Sequence, residues 1–150
     1  RLVLAPHVYL TVGVFFTVIL SSGIDLFLGE NTGISAQIVA ITVMVSALAD
    51  AVATIVGITK GKHHLKGGKS KKTWEGWIAG VASSILLGFV SFLVLMPQFG
   101  GTVMQGIVLT LVAAGIFGLT DYFSPRISDN ILNPVLISLA LWGVALLVFI

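Results

Sequence analysis

The chain has 150 residues, 57 % of them apolar types and 9 % charged, with a mean hydropathy of +1.09. Soluble domains carry roughly 25 % charged residues. Eight basic and six acidic side chains cannot clothe a globule in water, so its exterior must face lipid and a water-soluble domain is excluded. The net charge of +2 says little, because the charges are clustered. With no cysteine, disulfides, thiolate catalysis and cysteine metal sites are also excluded. The histidines His7, His63 and His64 lack the spacing of a zincin site.

A membrane helix needs about 20 predominantly apolar residues. Leu2–Ile24 is the first predicted span, and Ile34–Ile58 the second, interrupted by one acid, Asp50. The uncharged run from Gly76 to Thr120 is too long for one span. Pro97, Gly100 and Gly101 divide it into Gly76–Met96 and Thr102–Thr120, because proline and paired glycines end helices. Ile131–Ile150 is the last. The expected fold is an all-α integral membrane protein, a bundle of about five transmembrane helices forming a single catalytic domain over 1–150. The chain begins at Arg1 without a methionine, which suits a piece of a longer protein.

Lys60, Lys62, Lys66, Lys69, Lys71 and Lys72 crowd one short loop, and short loops rich in lysine stay on the cytoplasmic side. Alternation then puts Arg1 and the Asp121–Asn130 loop on that face. The Asp25–Gly33 and Pro97–Gly101 turns and the C-terminus lie outside. Polar chemistry is therefore expected at the cytoplasmic mouth. Gly76, Gly80, Ser84 and Gly88 form a small-residue stripe on one span, and Ala49, Ala53 and Gly57 a shorter one on another. Such stripes let membrane helices approach closely, which here would gather the polar residues beside them.

Asp50 lies about eight residues inside its span, roughly 12 Å deep at 1.5 Å per residue. A charge at that depth costs several kcal/mol unless it is paired or faces water, so Asp50 is a candidate for chemistry. A protonated acid bonded to a neighbouring helix is the plainer alternative. In the loop from Gly57 to Gly76, glycines such as Gly57 and Gly61 let backbone amides approach a ligand, lysines attract a polyanion, Thr73 offers a hydroxyl and Glu75 a metal ligand. Those are the parts a nucleoside triphosphate needs. No Walker A motif is present, and an ordinary loop touching anionic headgroups would carry the same lysines. Asp121, Arg126, Asp129 and Asn130 supply two carboxylates, a cation and an amide on the same face, suited to Mg²⁺ and phosphate. Asn130 could equally cap the last helix.

Four blocks carry a resemblance: Leu-Ala-Pro-His-Val-Tyr-Leu (4–10), Ala-Asp-Ala-Val-Ala-Thr-Ile-Val-Gly (49–57), Ser-Lys-Lys-Thr-Trp-Glu-Gly (70–76) and Asp-Asn-Ile-Leu-Asn-Pro (129–134). In that order they resemble the dolichol kinase and phytol kinase family, multi-pass membrane enzymes that phosphorylate isoprenoid alcohols with CTP. The chain departs from the family in having Ala49-Asp50 for Gly-Asp and Asp121 for Glu, and it lacks the upstream half of longer members. The resemblance implies CTP, Mg²⁺, a long-chain lipid alcohol such as dolichol or another polyprenol, and the bilayer as partners, with no nucleic acid. A homo-oligomer is left open. The membrane would be the cell membrane in a prokaryote or the endoplasmic reticulum in a eukaryote.

Under that reading Asp50, Lys72 and Glu75 are the catalytic candidates. Gly57, Gly61, Lys69, Lys71, Lys72, Thr73, Gly76 and Asn130 would bind nucleotide; Asp50, Glu75, Asp121 and Asp129 would hold Mg²⁺. Two alternatives stand beside it. A phosphatidate-type cytidylyltransferase would make a CDP-lipid, but the Gly-His-Gly-Gly ending of such enzymes has no counterpart after His64. A non-enzymatic lipid carrier or transporter half should show an inverted repeat, and residues 2–58 and 76–150 show none.

Overall fold

A computed structural model describes residues 6–28, 33–65, 72–123 and 129–148. Its elements are α1 (Pro6–Leu28), α2 (Ile34–Val43), a π-helical turn (Met44–Ala49), α3 (Asp50–Lys60), α4 (Trp74–Phe99), α5 (Val103–Phe123) and α6 (Asp129–Val148). The second helix, the π turn and the third run on as one 27-residue rod from Ile34 to Lys60. Among the described residues five helical stretches are thus long and apolar enough to cross a membrane, as expected, and the chain is a multi-pass membrane protein. Among the described residues the extended structure is a single antiparallel bridge, His64 to Thr73.

The helix ends differ from the expected spans for identifiable reasons. α1 runs past Ile24 to Leu28 because Asp25 does not end it: its carboxylate accepts a hydrogen bond from the Ser35 hydroxyl of α2. Helix α3 continues to Lys60, two residues beyond Ile58. α4 carries Pro97 inside its last turn and stops at Gly100, where φ is 75° and the amide closes on Met96 O at 2.8 Å. A late proline costs one backbone bond, while a left-handed glycine ends a helix. Helix α5 takes in Asp121, Tyr122 and Phe123, and α6 starts at Asp129, so the expected Asp121–Asn130 loop is shorter than its charges suggested. A capping box starts α5: Gln105 Oε1 accepts from the Thr102 amide at 2.7 Å and the Gln105 amide reaches Thr102 Oγ1 at 3.3 Å.

Hydrocarbon as solvent gives no reward for turning apolar groups inward, so polarity and size decide the faces. Phe15, Leu26, Phe27, Leu86, Val94 and Leu147 are exposed, whereas Thr17, Ser21, Thr42, Ser46, Ser84, Thr110 and Ser138 are buried among Ile38, Ile41, Phe92, Leu109 and Phe117. α4 is central, packing on α2, the π turn, α3 and α5; α1 packs on α2 and α6, and α5 on α6. Its stripe Gly76, Gly80, Ser84, Gly88 is buried, as its spacing predicted.

The closest approach is at Gly76, where an added Cβ would lie 2.6 Å from Ala53 O and 2.9 Å from Gly57 Cα. Backbone cannot yield as a side chain does, so Gly76→Ala is expected to lower the unfolding midpoint in detergent, by the roughly 1–3 kcal/mol of overpacked sites. Gly115→Ala is the control, since a Cβ there meets nothing within 4 Å and should leave the midpoint unchanged or slightly raised.

Candidate functional site

The Gly57–Gly76 crossing brings α3 against the start of α4, and a cavity of about 680 Å³ forms beside it. Asp50, Ala53, Thr54, Gly57, Ile58 and Gly61 form one wall, all on one side of α3. From Asp50 to Gly61 that wall runs roughly 16 Å along the helix at 1.5 Å per residue. His64, Lys72, Thr73, Gly76 and Trp77 line the side toward the loop; Asp121 and Asn130 come from the end of α5 and the start of α6. The volume falls within the roughly 300–1,000 Å³ of small-ligand sites.

A charge pair sits in this cavity. Lys72 Nζ donates to Asp121 Oδ1 at 2.6 Å and lies 3.3 Å from Asp121 O. The Asp121 side chain is 5 % exposed and that of Lys72 29 %. α6 is pinned alongside, because the Thr120 hydroxyl hydrogen-bonds Asn133 Oδ1. Trp77 Nε1 donates to Gly118 O at 2.8 Å, tying α4 to α5 one turn before Asp121.

Thr73 ends the loop as the N-cap of α4, its hydroxyl accepting from the Gly76 amide at 3.3 Å. Thr-x-x-Gly lets that amide approach without a Cβ in the way. The loop's two described arms pair: Leu65 N–H donates to Lys72 O at 2.9 Å and Trp74 N–H to His63 O at 2.8 Å. This bridge sets the register that delivers Lys72 to the cavity. Glu75 secures it from outside, with Oε1 2.7 Å from His63 Nδ1 and Oε2 accepting from the His63 amide at 3.3 Å.

The structure thus gathers Asp50, Gly57, Gly61, Lys72, Thr73, Gly76, Asp121 and Asn130 at one cavity. It places Glu75 on His63 and not on the cavity wall. Lys69 and Lys71 lie outside the described residues, as does the side chain of Asp129. Thr54, Trp77 and His64 are lining residues that the sequence reading did not single out. Thr54 is one turn from Asp50 and Trp77 one turn from Thr73, and that i, i+4 spacing was the available signal. His64 had none, because its place depends on the loop's pairing.

Aromatic rings collect at the same end of the bundle. Trp74 and Trp77 meet edge to face at 5.6 Å, Trp77 and Tyr122 at 6.3 Å, and Tyr122 and Phe123 at 5.3 Å. Amphipathic rings of this kind favour the membrane–water interface.

The sequence matches the cytidylyltransferase family over residues 2–123. It is 34 % identical over 104 residues to a phytol kinase of Synechocystis sp., an alignment covering 69 % of this chain and 43 % of that protein. The chain therefore spans less than half the length of that curated relative. No solved structure matches. These similarities bear out the resemblance to dolichol and phytol kinases.

Proposed function

Since this chain belongs to the cytidylyltransferase family, we propose that it transfers the γ-phosphoryl group of CTP to a long-chain isoprenoid alcohol, such as dolichol or another polyprenol. The observation that carries the reading is one cavity holding a membrane-depth carboxylate, Asp50, and a lysine–carboxylate pair, Lys72–Asp121, at the loop end. The alcohol oxygen attacks the γ-phosphorus, the bond to the β–γ bridging oxygen breaks, CDP leaves with that electron pair, and the lipid keeps the phosphate. Asp50 accepts the alcohol proton. Lys72 leaves Asp121 for the phosphates, and the Thr73 hydroxyl and nearby backbone amides assist it. Phosphoryl transfer asks chiefly for such positioning and charge neutralisation.

Among the described residues no three His, Asp or Glu side chains cluster as a metal cage. Mg²⁺ asks for less, one or two carboxylates plus phosphate oxygens, and the Asp121 carboxylate and the Asn130 amide on the cavity wall fit that need. Asp121 and Asn130 would hold it, with Asp129 as a further candidate, leaving Asp50 as the base. The ion would supply neutralisation of the charge on the transferring phosphate. Our reading has this mouth face the cytoplasm, and the positive-inside rule applied to the lysine-rich loop supports it.

Glu75, a candidate for both catalysis and metal, has its two oxygens engaged by His63, which favours a role in holding the loop. Glu75→Ala and His63→Ala should then lower turnover by similar, few-fold factors, and the double variant should be no worse than either. A metal ligand would behave differently: Glu75→Ala alone would raise the Mg²⁺ requirement sharply.

The alternative of making a CDP-lipid from a lipid phosphate draws on the family's own description and would use the same cavity. Purified protein in liposomes, given CTP and a panel of isoprenoid alcohols, is expected to release CDP only when an alcohol is present. No CDP with any alcohol would overturn the proposal.

A further inference from the structure

The helices around the cavity form an incomplete ring. α3 packs on α4, α4 on α5 and α5 on α6, but among the described residues α6 and α3 share no packed interface. One level deeper the ring closes, because the π turn packs on α4, α5 and α6. Continuing from that turn, α3 leaves the bundle on one side, and none of its residues is buried. Among the described residues the cavity is thus a wedge with its floor beside Asp50 and its fourth side open.

What lies at the open side is apolar and at membrane depth. Thr54 and Ile58 line the cavity and are also exposed, Ile58 by 80 %. Ala51 and Ile55 adjoin them at helical spacing and are exposed too. Thr54 stands six residues inside the end of α3 at Lys60, about 9 Å at 1.5 Å per residue. Lysines at a helix end reach for the interface, so this side opens on hydrocarbon and not on water. The opposite lip is the start of α6, where Asn130 lines the cavity.

We infer that the opening between α3 and α6 is the port through which the lipid alcohol reaches Asp50 sideways from the bilayer, its tail remaining between the two helices in lipid. This rests on the alcohol-kinase reading and divides the cavity between the substrates. CTP comes from the loop end, where Lys72 and Thr73 stand; the alcohol comes through the α3–α6 side. A hydroxyl bound this way meets the Asp50 carboxylate while its chain gives up no contact with hydrocarbon. The tail beyond the lips is solvated by the bilayer, so the site reads the head of the alcohol and is indifferent to chain length past the port.

The test uses the whole chain in liposomes with an isoprenoid alcohol bearing a diazirine a few carbons from its hydroxyl. After illumination, adducts are expected on residues 51–58 and on the first turns of α6, and excess unmodified alcohol should compete them away. Adducts spread evenly over outward residues such as Phe15 and Leu86, or insensitive to competitor, would overturn the port. A second variant reads the same route through kinetics. Ala51→Trp places a bulky ring on the outer lip and should lower kcat/KM for a long-chain alcohol roughly tenfold, in the range that shape mismatches give. A short, water-miscible isoprenol and CTP should be little affected; equal losses for long and short alcohols would count against the port. Labelling needs no turnover, so the two readings fail separately. Competed labelling at the port without phosphate transfer keeps the port and removes the kinase, and transfer with even labelling does the reverse.

Discussion

Replacing Asp50 by asparagine is expected to lower turnover by about 10²–10⁴-fold, the range that loss of a general base produces. Folding and membrane insertion should be unchanged. Asn keeps the shape of the side chain and its capacity to accept a hydrogen bond, and removes the charge and basicity. Asp50 begins α3 directly after the π turn, a local widening that recurs at functional sites. A charge at this depth is costly in hydrocarbon unless it is paired or faces water, and Asp50 lines the cavity. The measurement is alcohol-dependent CDP release in liposomes, with the unfolding midpoint as control. Turnover above about a tenth of wild type would make Asp50 structural and displace the proposed base.

Lys72→Ala should raise the CTP concentration needed for half-maximal rate by about ten- to a hundredfold. One charge-assisted contact is worth about 1.5–3 kcal/mol, at about 1.4 kcal/mol per decade. The same change leaves Asp121, 5 % exposed, without its 2.6 Å partner. Removing one member of a buried pair is destabilising, so the unfolding midpoint should fall as well. Lys62→Ala is the comparison: Lys62 is exposed, bulk salt screens it, and its loss should change CTP use by less than about threefold. Equal effects at 62 and 72 would return the lysines to a general positive-inside role. Asp121→Asn separates the two contributions, because it removes the ion pair and keeps the cation. It should spare stability more than Lys72→Ala does, since no buried charge is stranded.

Much of this arrangement was legible in the sequence because its causes are local or periodic. Five spans follow from apolar length, and the Gly76–Gly80–Ser84–Gly88 stripe follows from a spacing of four. The meeting of Gly57 with Gly76 follows from two stripes that have to pack. The π turn was not legible, since Met-Val-Ser-Ala-Leu-Ala carries no proline, glycine or cap to mark it. Whether a turn is α or π there depends on the helices packed around it. The partner of Glu75 was hidden for a related reason: His63 is twelve residues away, and only the pairing of Leu65 with Lys72 brings them together. A carboxylate in a Lys-Lys-Thr-Trp-Glu-Gly run suggests a metal ligand by its company, whereas its geometry is that of a clasp on the loop. The end of α1 shifted by four residues where Asp25 found a partner in Ser35.

The fate of the two ends of the CTP triphosphate separates phosphoryl transfer from cytidylyl transfer. Purified protein in liposomes would receive a long-chain isoprenoid alcohol and CTP labelled at either the γ- or the α-phosphate, with label counted in the extracted lipid. The γ label is expected in the lipid as a monophosphate, and the α label should remain in water as CDP. Label from the α position appearing in the lipid would contradict the kinase and make the cavity a cytidylyltransferase site; no label in lipid from either position would contradict both.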